Sequence, residues 1–134
     1  MVQRTAPLPR ALLIANVGGA LLSVGSSIAG LLDPGLALAH GSAVTAGVDF
    51  YAQAYAARAV PLGAALVQQL LFGRTSRALT PLLLVSGVVQ LADAAIGLTA
   101  HNPGMVVGGS ALAVLHLATA ARLTRTEARM APSC

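Results

Sequence analysis

Residues 78–100 read ALTPLLLVSGVVQLADAAIGLTA, twenty-three positions with a single charged side chain, Asp93. At about 1.5 Å of rise per residue this run makes a helix of about 34 Å, enough to cross a hydrocarbon layer of about 30 Å. Three similar runs flank it. Residues 11–32 carry no charge, residues 50–72 carry only Arg58, and residues 103–121 carry no formal charge and one histidine, His116. The breaks between them hold turn residues: Asp33-Pro34-Gly35, Gly73-Arg74-Thr75-Ser76-Arg77 and His101-Asn102-Pro103-Gly104. The expected fold is therefore all-α, a single four-helix transmembrane bundle occupying residues 1–134, with spans at about 11–32, 50–72, 78–100 and 103–121.

Composition supports a lipid environment. The chain is 56% hydrophobic and 9% charged, with a mean hydropathy of +0.78, whereas a soluble domain carries about 25% charged residues. A chain of 134 residues has too little interior to hide that much apolar surface from water. The net charge of +4 comes from eight arginines and no lysine, with 3% aromatic residues. Scattered arginines without aromatic platforms exclude a nucleic-acid surface.

The arginines report orientation instead. Arg4 and Arg10 precede the first span, Arg74 and Arg77 lie between the second and third, and Arg122, Arg125 and Arg129 follow the fourth. Seven of eight thus fall on one side of a four-span chain and none in the loops of the other. The positive-inside rule then places both ends in the cytoplasm (N-in, C-in) and residues 34–49 outside. The expected location is the cell membrane, as a multi-pass protein of the bacterial inner membrane. A cleaved signal peptide is the competing reading of the first span, with Ala37-Leu38-Ala39 as cleavage site. The apolar run exceeds the roughly 7–15 residues of a signal core, so the span is expected to stay in the mature protein.

Cys134 is the single cysteine and sits at the last position. It excludes Cys-x-x-Cys thiol chemistry, and prenylation needs three residues beyond it. His40 and His101 have no metal-ligand spacing around them, so neither a metal nor another cofactor is expected. Small residues recur every fourth position in the first span, at Ala11, Ala15, Gly19, Ser23 and Ser27, with a shorter version at Gly109 and Ala113. Such ridges let helices approach closely; the ridge serves either the bundle itself or a homo-oligomer contact.

A charge within a span costs about 2.5–3.5 kcal/mol on insertion scales and needs a partner. Arg58 lies eight residues after Phe50 and Asp93 seven before Ala100, so both sit about 10–12 Å from the outer boundary on antiparallel neighbours. Arg58 and Asp93 are expected within direct or one-water hydrogen-bonding reach. Tyr51, Tyr55 and Arg58 share one face of the second span by their i, i+4, i+7 spacing, and Gln90, Asp93 and Gly97 one face of the third. Ser26 and Ser27 reach the same depth from the first span. Pro61 leaves the carbonyl of Ala57 without its usual donor, and arginine has five donors to offer. The pair is either a structural clamp or the centre of an outward-opening pocket in which Tyr51, Tyr55, Gln90 and His116 contact a ligand. A second polar group, Asn16, Gln68, Gln69 and His116, lies toward the cytoplasmic side.

Arg58-Ala59-Val60-Pro61-Leu62-Gly63, Leu91-Ala92-Asp93-Ala94, His116 and the Leu32-Asp33-Pro34 turn resemble the pattern of small DoxX-like four-helix membrane proteins over roughly residues 31–122. The resemblance implies a four-helix bundle and no particular activity. The functional expectation is a membrane protein, embedded in the lipid bilayer, that binds a hydrophobic or amphiphilic small molecule or a partner helix around Arg58 and Asp93. Two alternatives stand beside it. One is an isomerase or cyclase of a lipid-like substrate, with Asp93 as catalytic acid/base and Arg58 beside it. The other is a small proton-coupled transporter.

Overall fold

The computed structural model describes residues 8–38, 41–73 and 78–130. Arg4, Ala39, His40, Arg74, Arg77 and Cys134, which entered the reading of orientation, processing and chemistry, lie outside the described residues. The described chain is all-helical: α1 (Arg10–Leu32), a 3-10 turn (Pro34–Ala37), α2 (Ala46–Phe72), α3 (Leu79–Thr99) and α4 (Pro103–Met130).

The helix ends follow from local chemistry. Asp33 ends α1, and its carboxylate accepts the Gly35 N–H at 3.0 Å, starting the 3-10 turn. Thr45 caps α2 by accepting the Val48 N–H at 3.3 Å, so α2 begins a turn earlier than the apolar run at Phe50 suggests. His101 follows α3 with φ 54°. The Asn102 N–H returns to Gly97 O at 2.9 Å and the His101 N–H to Leu98 O at 3.3 Å, a Schellman stop with histidine where glycine is usual. Asn102 then caps α4 by accepting the Met105 N–H at 3.0 Å.

Three helices, α1, α3 and α4 through Arg129, are long and apolar enough to cross a membrane by length and composition. Helix α2 is also long, at 27 residues, but its run is diluted by Asp49, Gln53, Arg58, Gln68 and Gln69. The surface is largely apolar, and the interior holds a group of polar side chains beside its apolar core, unlike a soluble globule. Ile14, Leu22, Leu32, Phe72, Val107 and Val114 are exposed, while Asn16, Ser27, His116 and Thr119 are at most 2% exposed. That arrangement is consistent with contact to lipid rather than water.

Helix α1 packs along α2, and α3 along α4, far more extensively than α2 meets α3 or α1 meets α4. The molecule is thus two helical hairpins laid together. Glycine sets the closeness of the second. A Cβ on Gly109 would lie 2.8 Å from Gln90 O and 2.9 Å from Ala94 N, both backbone atoms of α3. The small ridge of α1 is only partly interior. Gly19 and Ser27 are buried and Ser23 is half-buried, but Ala11 and Ala15 are exposed. An apolar core of Ala20, Leu66, Leu70, Leu79, Leu83, Ala120 and Leu123 fills the end of the bundle where α1 starts and α2 ends.

Candidate functional site

The interior polar groups form a ladder along the bundle. At one level the Asn16 amide donates to Thr119 Oγ1 at 3.0 Å and its carbonyl meets His116 Nδ1 at 2.9 Å. Asn16 also donates to Leu12 O at 2.7 Å, and Thr119 donates to Leu115 O at 2.7 Å. At the next level Gln90 Nε2 donates to Ser23 Oγ at 2.9 Å, straight across the bundle from α3 to α1. At the third level the Tyr55 hydroxyl donates to Asp93 Oδ2 at 2.8 Å, with the Ser27 hydroxyl, bonded to Ser23 O at 2.7 Å, beside them. Each of these interhelical bonds joins the first hairpin to the second.

The helix faces explain who takes part. In α3 the buried positions Leu79, Leu83, Ser86, Gln90, Asp93 and Gly97 recur every three or four residues, so Gln90 and Asp93 enter the interior with the apolar stripe. In α2 the buried positions are Ala56, Gly63, Leu66 and Leu70. At about 100° per residue, Tyr55 stands at the edge of that face, while Tyr51 and Arg58 lie roughly a quarter turn or more beyond the face's centre. Tyr55 is half-buried, and Tyr51 and Arg58 are exposed.

The direct form of the expected Arg58–Asp93 contact is absent, although Arg58 lies near enough to act electrostatically on Asp93. Among the described residues no hydrogen bond or ion pair joins them; the carboxylate is taken by Tyr55, and Arg58 Nε donates to Ala54 O at 3.2 Å. The shared face of Tyr51, Tyr55 and Arg58 is likewise divided by burial, and Tyr51 packs edge-on to Phe50 with centroids 5.8 Å apart. Asn16 and His116 do meet, while Gln68 is exposed and Gln69 Oε1 is buried without a partner among the described residues. Thr119 and Ser86 are interior groups that sequence reading passed over. Thr119 could have been found from its i, i+3 spacing to His116, and Ser86 from its i, i+4, i+7 spacing to Gln90 and Asp93.

Arg58 is left in a distinctive position. It lies near the middle of α2, faces outward, and is held by an i−4 carbonyl, so its stem runs back toward the N-terminal end of α2. Such a guanidinium keeps donors free for an oxyanion. The interior offers little room by contrast. Between the helices, Ala20, Ser23, Tyr55, Gly63, Ser86, Gln90 and His116 help to line a cavity of about 20 Å³. That is space for a water molecule and not for an acyl chain. A larger open groove of about 390 Å³ lies at the α3–α4 turn, against Gly97, His101, Asn102 and Val106. No three His, Cys, Asp or Glu side chains gather as a metal site among the described residues.

No protein-family model, curated protein or solved structure matches the chain.

Proposed function

We propose that this chain is a four-span membrane protein with both ends in the cytoplasm, and that it binds an amphiphile with an anionic headgroup on the outer half of α2. The observation that carries the binding reading is the exposed Arg58, whose Nε–Ala54 contact turns it toward the N-terminal end of α2 while Tyr55 occupies Asp93. An arginine facing lipid is costly in the middle of a bilayer. Its long stem lets the charge snorkel toward the interface, where a phosphate or carboxylate would accept two parallel hydrogen bonds. Exposed Phe50 and Tyr51, about two turns above it, suit the aromatic belt at a membrane–water boundary. The small size of the central cavity favours a ligand seated outside the bundle over a lipid-like substrate reaching Asp93.

The fourth crossing follows the same line. Helix α2 is about 40 Å long and packs extensively against α1, so it crosses with its neighbour despite its more polar composition. The arginine distribution supports the cytoplasmic placement of the ends. The reading agrees with the resemblance to small DoxX-like proteins.

Two experiments test it. Reporter fusions at Ser42 and at the C-terminus should report opposite sides of the membrane; same-side results would sink the topology. Native mass spectrometry of the full chain should show phosphatidylglycerol retained over phosphatidylcholine, with the preference lost in Arg58→Gln. Equal retention of the two lipids by the unmodified protein would remove the anionic-ligand reading.

A further inference from the structure

The central cavity lies where all four helices bring a polar side chain together: Ser23 from α1, Tyr55 from α2, Ser86 and Gln90 from α3, and His116 from α4. One of these groups is out of balance. Ser86 is 6% exposed, lines the cavity, and its hydroxyl has no hydrogen-bond partner among the described residues. A buried hydroxyl without a partner costs about 1–3 kcal/mol, and such groups in folded proteins are generally satisfied by protein or by ordered water.

We propose that this cavity is a resident-water site, and that the water, anchored on Ser86 Oγ, joins two levels of the polar ladder. The dimensions fit one molecule: about 20 Å³ against the roughly 10–15 Å³ a single water requires. The chemistry fits as well, because a buried water wants two to four polar partners. Ser86 offers both a donor and an acceptor. Ser23 Oγ accepts from Gln90 Nε2 and keeps its own proton to donate. Gln90 keeps its carbonyl, and His116, whose Nδ1 is engaged by Asn16, keeps its second ring nitrogen. No formally charged side chain lines the space, so a metal cation there would have no compensating charge, whereas a neutral molecule that both donates and accepts needs none.

The water has a structural consequence. Without it the Ser23–Gln90 bond at one end and the His116–Asn16–Thr119 bonds at the other are separate. With it the Ser23–Gln90 bond and the His116–Asn16–Thr119 bonds form one hydrogen-bonded line through the centre of the bundle. This inference does not depend on the amphiphile reading, since Arg58 takes no part in it.

The test is NMR of the full chain in lipid nanodiscs, reading magnetisation transfer between water and the Gln90 side-chain amide protons. The unmodified protein should show a cross-peak of the sign given by a long-lived bound water. Ser86→Val, whose methyl groups occupy the space, should abolish it and shift the His116 ring nitrogen resonances. Ser86→Ala should leave a weakened peak. Absence of the cross-peak in the unmodified protein overturns the proposal, as does an undiminished peak in Ser86→Val. A saturable sodium-dependent shift of Gln90 would also overturn it, in favour of an ion. If Ser86→Val does not fold, the unmodified protein and Ser86→Ala decide the matter.

Discussion

Helices α2 and α3 each carry one charged residue deep in an apolar run, and the fold treats the two charges in opposite ways. Asp93 is 7% exposed and held by a tyrosine hydroxyl from the neighbouring hairpin. Arg58 faces outward and finds its hydrogen bond within its own helix. A carboxylate on a one-carbon stem cannot escape its depth, so it needs a donor where it stands. A guanidinium on a three-carbon stem can travel several ångströms along the helix and needs no interior partner. Opposite charge and similar depth are therefore insufficient to make a pair; the helix faces must also agree.

The comparison can be broken most forcefully at the packing that buries α3. Gly109→Val would drive side-chain atoms into the α3 backbone at Gln90 and Ala94. The expected loss is about 3 kcal/mol or more in detergent unfolding. Gly25→Ala, where nothing lies within 4 Å of the new Cβ, should be neutral or slightly stabilising. A tolerated Gly109→Val would mean that the α3–α4 contact is looser than described.

Next comes the bond that satisfies Asp93. Tyr55→Phe removes the donor at 2.8 Å and should cost about 1.5–3 kcal/mol. A double-mutant cycle with Asp93→Asn should show a coupling above about 0.5 kcal/mol. The same cycle between Arg58→Gln and Asp93→Asn should show a smaller coupling. A larger value for the arginine would restore the direct pair.

Smaller again is the stop of α3. His101 holds φ 54°, a conformation that costs an L residue about 1 kcal/mol. His101→Gly should raise stability by about that amount or less, measured by thermal melting in detergent; a loss would show that the ring's contact with Leu98 O matters more than the backbone conformation. The smallest effect is expected at Arg58 itself. Arg58→Leu should change detergent stability by no more than about 0.5 kcal/mol, as for an outward-facing residue away from the core. A loss of several times that would reverse the contrast between the two charges.

The helices were largely legible from the chain because apolar runs and turn residues carry strong local signals. Asp33-Pro34-Gly35 and His101-Asn102-Pro103 end and begin helices where expected. The start of α2 was less legible, since Thr45 caps a first turn, Ala46-Gly47-Val48-Asp49, whose closing charge cuts it off from the apolar run that follows. The polar residues of the site were partly legible too. Depth and burial cost pointed to Asp93, Tyr55 and Gln90, and to the meeting of Asn16 with His116. What residue spacing left open was rotation. Tyr51, Tyr55 and Arg58 lie within a narrow arc of α2, and the edge of the buried face falls inside that arc, between Tyr55 and the other two. Only the packing of four helices decides where that edge lies.

The interhelical hydrogen bonds run from one hairpin to the other, and this has a consequence for how the protein is made. The half synthesised first carries Asn16, Ser23, Ser27 and Tyr55; the half synthesised last carries Ser86, Gln90, Asp93, His116 and Thr119. Until the second half has left the ribosome, the first lacks its partners in the second and keeps the bonds within α1, Asn16 to Leu12 O and Ser27 to Ser23 O. Asp93, the one buried charge the described chain carries, arrives only when Tyr55 is already there to receive it. Order of synthesis thus protects the costlier group, and the two halves meet as lock and key, through a shared apolar core at one end and a matched polar pattern along the rest.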